Sequence, residues 1–397
     1  MKKMFLFSAM AAGLLTSCVQ TETIAPELTN EEKEITFQTV VAKQGTRALI
    51  NGSEYGPTAP SFGTYAYHNV DGTMPGSVGY ISDKEIIYQT KNDLKFWAPN
   101  GTDYYWPKEG SLTFYSYSPY NYQESTYNST KLAPLAPEIG QYGFRFIDYD
   151  VDAHQETDLM VADIVYGLKA NLNNGGYSGV PTVFRHKLAL ISGFVLTTSE
   201  DYDGSWDGTP GSAKAGDMRF KIRKITLKNI PTKGTFYSQG INGATEDIIA
   251  EKWIAPTSEQ VTKDYVWYED INGTEFGHVD SKKLHITKTA TETTYNKNPT
   301  INNGYLLVMP QTFATGSEQA LEIVYTIGTY DGSEWKITGE PYTKSILLSS
   351  VHSTQKNPDA GWEINKKITY TLDFSTTEIR WAPSVEDWDN KDFTVDY

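Results

Sequence analysis

The stretch Trp362-Glu-Ile364-Asn-Lys-Lys-Ile368-Thr-Tyr370-Thr-Leu372-Asp-Phe374 decides the fold. From 368 to 374 every even position is apolar or aromatic, and Thr and Asp fill the odd ones between. The same phase reaches back through Ile364 to Trp362. Alternation of this kind puts one set of side chains on one face of a pleated strand, and a helix would scatter them. Leu321, Ile323, Tyr325 and Ile327 repeat the pattern, and Ile35, Phe37, Thr39 and Val41 repeat it near the N-terminus. Phe220 and Ile222 alternate with Arg219, Lys221 and Arg223, after which Ile225 and Leu227 continue in the opposite phase. A phase slip predicts a bulge or bend. No segment carries a 3.6-residue stripe, so the body is predicted to be all-β and antiparallel.

Turn chemistry agrees. Asn51-Gly52, Asn100-Gly101, Asn242-Gly243, Asn272-Gly273 and Asp331-Gly332 fall at hairpin and corner spacings. Two Gly/Asn-rich stretches compete as a domain boundary: Asn171–Gly179, and Asp201–Gly216, the latter otherwise readable as a long hairpin loop. A chain of 397 residues has length enough for two domains.

The N-terminus carries an address. Lys2 and Lys3 precede an apolar run of about a dozen residues, too short to span a bilayer. It ends in Leu15-Thr16-Ser17-Cys18, the pattern of a bacterial lipobox: cleavage between Ser17 and Cys18 and acylation of the Cys18 thiol. No later stretch is apolar enough to cross a membrane, so the mature body is expected to be soluble and tethered to the outer membrane through its lipid anchor. Residues 19 to about 30 read as a polar spacer. Cys18 is the only cysteine, so the body is expected to have no disulfide, thiolate metal site or cysteine nucleophile.

With 49 acidic against 34 basic residues the formal charge is −15. Nucleic-acid binding needs a basic stripe, and none is present. The basic segment Arg219–Lys228 reads as the wet face of an amphipathic strand. Aromatics reach 13 %, suited to cross-strand pairs and to sticky surfaces.

Chemistry-bearing clusters are sparse. The six histidines are scattered without metal-site spacing. His186, in phase with Phe184, Leu188 and Leu190, is expected to be a buried imidazole bonded to backbone or a tyrosine. Asp201–Gly208 alternates oxygen ligands like a calcium loop but has Trp206 and Ser212 where that loop needs Gly and Glu, so it reads as a solvated acidic loop. Asp148, Asp150 and Asp152 are expected on one exposed strand face. No nucleophile elbow, phosphate loop or zinc-protease helix occurs. No catalytic residue, metal or cofactor is predicted, and the chain is expected not to be an enzyme; glycosidase carboxylates leave little local signature, so a hydrolase stays a third reading.

Several segments, in order, resemble the fimbrillin family of Bacteroides-type bacteria, whose members build type V pili. They are Phe96-Trp97, Tyr104-Tyr105-Trp106-Pro107, Gly110–Pro119, Asp158–Ala162, Phe184–Ala189, Trp362 with Ile368–Leu372, and Val385–Trp388. The resemblance implies two β-sandwich domains of transthyretin-like topology: a signal peptide over 1–17, a lipidated spacer and excisable first strand over 18–47, and domains over 48–175 and 176–397. It implies cleavage between Arg47 and Ala48 by a trypsin-like protease, loss of the strand Glu34–Ala42, and filling of the groove by a strand from another pilin subunit. The C-terminal run Asp392–Tyr397 is short for a stalk subunit of that family, which implies a tip or accessory role in a surface-exposed fimbria, with a host or bacterial surface glycan or protein as further partner. The alternative is a surface glycan-binding lipoprotein that never polymerises, with Trp97, Trp106 and Trp206 as stacking platforms.

Overall fold

The computed structural model describes residues 34–387 except 42–58, 71–77, 92, 121–130, 135–140, 156, 170–178, 199–214, 217, 243–246, 256–260, 270–283, 287–304, 315, 353–360 and 375–378. Ser17, Cys18, Arg47, Ala48, Trp206 and the Asp392–Tyr397 run therefore lie outside the described residues, as does the Asp201–Gly208 loop.

Strand is almost the only regular secondary structure among the described residues. In chain order they are β1 (Phe37–Val41), β2 (Phe62–Asn69), β3 (Val78–Lys91), β4 (Leu94–Pro99), β5 (Ser111–Ser118), β6 (Lys131–Pro134), β7 (Gln141–Tyr142) and β8 (Phe144–Asp150). Next come β9 (Met160–Ala162), β10 (Val165–Leu168), β11 (Val180–His186), β12 (Ala189–Thr198), β13 (Met218–Pro231), β14 (Lys233–Tyr237), β15 (Gly240–Asn242) and β16 (Ile248–Ile249). The last are β17 (Lys252–Ile254), β18 (Thr262–Glu269), β19 (Leu284–Ile286), β20 (Leu306–Val308), β21 (Ala320–Tyr330), β22 (Trp335–Leu347), the one-turn helix α1 (Leu348–His352), β23 (Lys366–Phe374) and β24 (Ile379–Asp387).

The first sheet has the order β10-β5-β2-β3-β4-β1-β11-β9, and β9 also pairs with β5, Tyr117 opposite Val161 and Ser118 opposite Met160. Seven of its strands thus close on themselves, which removes their free edges. Ile35, Phe37, Phe62, Ile86, Trp97, Phe114 and Phe184 are among the buried residues of its core. In the second half, β19-β12-β23-β24, with β20 on β12, shares another core with β18-β13-β21-β22. The decisive stretch lies here: Ile368, Tyr370 and Leu372 are fully buried on β23, and Trp362 Nε1 donates to the Tyr370 hydroxyl at 2.8 Å.

A third core joins the halves. The sheet β17-β14-β8-β6 joins two strands from each side of residue 175 at the β14–β8 pairing, and Phe144, Phe146 and Phe236 bury against Tyr65, Tyr117 and Leu307. Lys187, almost wholly buried between β11 and β12, reaches Glu251 at 2.8 Å. Beside it Trp253 Nε1 donates to the Lys187 carbonyl at 2.7 Å.

Three expectations change on the described residues. The pairings are not all antiparallel, since β1 with β11 and β12 with β23 run parallel; periodicity fixes which face a residue takes but carries no strand direction. The Asp201–Gly216 stretch does not close a hairpin, because β12 and β13 belong to different sheets. The His186 ring is buried as expected, but it faces the carboxylate of Asp158, likewise buried, a partner the expectation did not name. The predicted slip in β13 is present as a register shift between Ile222 and Lys224.

Candidate functional site

The segment Glu34–Val41 is short, N-terminal and central in its sheet. Its alternation places Ile35 and Phe37 inward, at 0 % and 2 % exposure, and Gln38 outward. Phe37 meets Phe62 and Phe114 edge-on, with ring centroids 5.5 and 5.9 Å away, the geometry that the ring quadrupole favours. Burying each of Ile35 and Phe37 stabilises the seated strand by about 1.5–3 kcal/mol.

The two walls of the slot hold β1 unequally. Along β11 the parallel ladder runs without interruption from Phe37 opposite Val180 to Val41 opposite Phe184, and the Val180 N–H donates to Thr36 O at 2.6 Å. Along β4 a single pair is made among the described residues, Phe37 opposite Trp97. Ahead of the strand, the Ile35 N–H donates to Tyr104 O at 2.7 Å, Glu34 forms a bridge with Tyr105, and Lys91 Nζ reaches Glu34 Oε2 at 2.8 Å and Asp103 Oδ2 at 3.2 Å. Glu34 and Asp103 hold the Lys91 pKa above the ordinary lysine value.

Both walls are anchored without β1. Strand β4 pairs with β3 from Lys91–Leu94 to Ile86–Pro99. Strand β11 pairs with β9, and Arg185 grips Asp163 through Nε at 2.8 Å and a second nitrogen at 3.0 Å. Close approach at the mouth of the slot depends on Gly179, whose φ is +126°. A Cβ there would lie 2.7 Å from the Phe37 carbonyl carbon and 2.8 Å from the Gln38 nitrogen. Sequence reading found β1 but missed Gly179 and Lys91; nothing in a lone glycine or lysine signals them before the pairing is known.

Of the sequence-nominated aromatic platforms, Trp97 is 4 % exposed and faces the core against Phe62 and Tyr88. Trp106 is half-buried on Phe114. The acidic triplet is ion-paired in two of its three members, Asp150 with Lys233 at 3.2 Å and Asp152 with Lys263 at 2.8 Å, while Asp148 is exposed. Among the described residues no group of three or more His, Cys, Asp or Glu is placed to hold a metal ion.

A family profile described as fimbrillin-like matches residues 46–388. The chain belongs to the fimbrillin-like family. Strand β1 lies N-terminal to the matched stretch. Among solved structures, a fimbrial protein from Bacteroides vulgatus ATCC 8482 is 14 % identical, with 89 % of this chain and 99 % of that one covered, at a TM-score of 0.52. A candidate cell adhesion protein from Bacteroides uniformis ATCC 8492 is 15 % identical over 89 % and 98 %, at 0.40. The tip fimbrial protein Mfa3 from Porphyromonas gingivalis is 10 % identical over 83 % and 94 %, at 0.32. Identities this low speak to the fold alone. A search of curated sequences gives no significant match.

Proposed function

We propose that this fimbrillin is a tip or accessory subunit of a surface fimbria, exported as a lipoprotein through Cys18 and switched to assembly by cleavage between Arg47 and Ala48. The observation that carries the reading is the seat of β1. It is a stave of a closed sheet, contributed by the one segment a cut after Arg47 would sever, fully laddered on one side and pinned by a single pair on the other. Its departure opens the ring between β4 and β11, exposes unpaired backbone on both, and uncovers the seats of Ile35 and Phe37. An edge with an apolar floor recruits another strand, which supplies donor-strand addition by a second subunit. The two-domain, transthyretin-like organisation belongs to this reading, with β11 contributing to the first sheet.

Limited trypsin digestion of the mature-length protein, followed by intact mass and size-exclusion chromatography, tests it. Rapid cleavage after Arg47 with a folded body that takes up an added donor strand is expected. Self-assembly of the cut protein would move it from tip to stalk. Resistance at Arg47, or a cut protein that keeps β1 against a large excess of competing strand, sinks the strand-exchange reading.

A further inference from the structure

The seat of β1 is not uniform along its length. Two of its described side-chain positions meet something that discriminates by chemistry. At 34, a carboxylate with 11 % side-chain exposure faces the ammonium of Lys91. At 37, a phenyl ring enters a cleft whose walls are the Phe62 and Phe114 rings, each met edge-on. Between them Ile35 asks for bulk, and beyond them Gln38 faces out. The backbone direction is set as well, parallel to β11, with Gly179 leaving space for main chain but for nothing larger beside Phe37.

Resting on the strand-exchange reading, we infer that the vacated slot selects its occupant by these two positions: an extended segment of pattern acid–apolar–x–aromatic, running parallel to β11, its acid on Lys91 and its ring in the Phe62–Phe114 cleft. When β1 leaves, Lys91 keeps Asp103 at 3.2 Å but loses the shorter, better-buried contact with Glu34. A carboxylate arriving at that position recovers a charge-assisted hydrogen bond, and a cation there is repelled. The aromatic position supplies the anchor, and truncating a buried ring of this kind is among the most damaging changes at an interface. Lys91 is thus the residue that discriminates among donors with equally apolar faces. It is the last residue of β3, with a side chain 44 % exposed, so its substitution removes no buried packing.

The test uses the full chain cut after Arg47 and a fluorescein-labelled peptide of residues 34–42. Its uptake is followed by polarisation alongside Glu34→Lys and Phe37→Ala peptides, on wild-type and Lys91→Glu protein. The expected result is saturable uptake of the native peptide, about tenfold weaker binding of the Glu34→Lys peptide and about a hundredfold or greater loss for Phe37→Ala. On Lys91→Glu protein the order of native and Glu34→Lys peptides should reverse, a readout that mere loss of packing does not produce. If native and Glu34→Lys peptides bind wild-type protein equally and Lys91→Glu changes neither, charge selection is wrong while the slot stands. If Phe37→Ala binds as well as native, the aromatic rule is wrong. If the native peptide itself is not taken up, the strand-exchange reading fails, and this inference with it.

Discussion

At the scale of single residues, three positions make distinct predictions. Gly179→Ala places a methyl 2.7 Å from the Phe37 main chain at a φ of +126°, a conformation open to glycine and costly to others. It should destabilise the uncut protein by about 2 kcal/mol in urea unfolding and speed the release of β1 after cleavage. Unchanged unfolding would mean that the approach at Gly179 does not limit seating. Asp83 is the second. Burial raises its pKa, partly offset by the Tyr117 hydroxyl, which donates to Oδ1 at 2.6 Å. A carboxyl that binds its proton more tightly folded than unfolded contributes stability below its unfolded pKa and loses it as pH rises through the folded value. At neutral pH the buried charge is therefore a burden. Asp83→Asn keeps the acceptor, and Asn tolerates the local φ of 42°. The melting temperature at pH 7 should rise and the weakly acidic side of the profile should flatten; a fall at pH 7 would show that the carboxylate is favoured where it stands. Glu251 is the third, since its removal strands the Lys187 ammonium, 4 % exposed. Glu251→Ala should cost about 3 kcal/mol, read from the urea midpoint.

At the scale of elements, the unit of interest is β1, and one substitution isolates it. Phe37→Ala removes a buried ring and should cost the uncut chain about 3–5 kcal/mol. The same substitution should leave the cut body, freed of β1, indistinguishable from wild type in thermal unfolding. Equal destabilisation of both forms would mean that β1 is not shed. Strand β1 was legible because its alternation is clean, and so were β21 and β23. Strands β12 and β20 were harder to place. Leu188-Ala-Leu-Ile191 and Tyr305-Leu-Leu-Val-Met309 run apolar without alternation because neighbouring residues face different cores: Ala189, Ile191, Leu306 and Val308 one, and Leu188, Leu190, Tyr305, Leu307 and Met309 the other. A strand buried on both faces loses the period that reveals it. The candidate site was half legible for a related reason. The sequence shows which residues of β1 turn inward, but the partner of Lys91 and the close approach at Gly179 exist only once distant strands have paired. Cys18 was read from local pattern, Arg47 and Ala48 from the family resemblance, and all three stand as proposals.

At the scale of the whole molecule, the halves are interlocked. Strands β14 and β17 complete a sheet begun by β6 and β8, and Lys187 and Trp253 tie the junction of β11 and β12 to that sheet. Calorimetry of the uncut protein should therefore show one transition rather than two, since the core shared by Phe144, Phe146, Phe236 and Leu307 is completed only by strands of both halves. Two well-separated transitions would show that the shared sheet is too weak to couple them. The parallel pairing of β1 with β11 carries a consequence for time rather than stability. Its two strands lie far apart in the chain, and the loop between them must be organised before the ladder yields any return. The ring can form around an empty place, but β1 cannot seat until β4 and β11 are standing. A newly synthesised chain should thus pass through an open-ringed intermediate, and β1 should be the last stave to arrive, visible as a late refolding phase that Phe37→Ala slows little but makes shallow. That intermediate has the shape of the acceptor. Cleavage in this view creates no new conformation: it returns the protein to the penultimate step of its own folding and leaves the final step for another chain to complete.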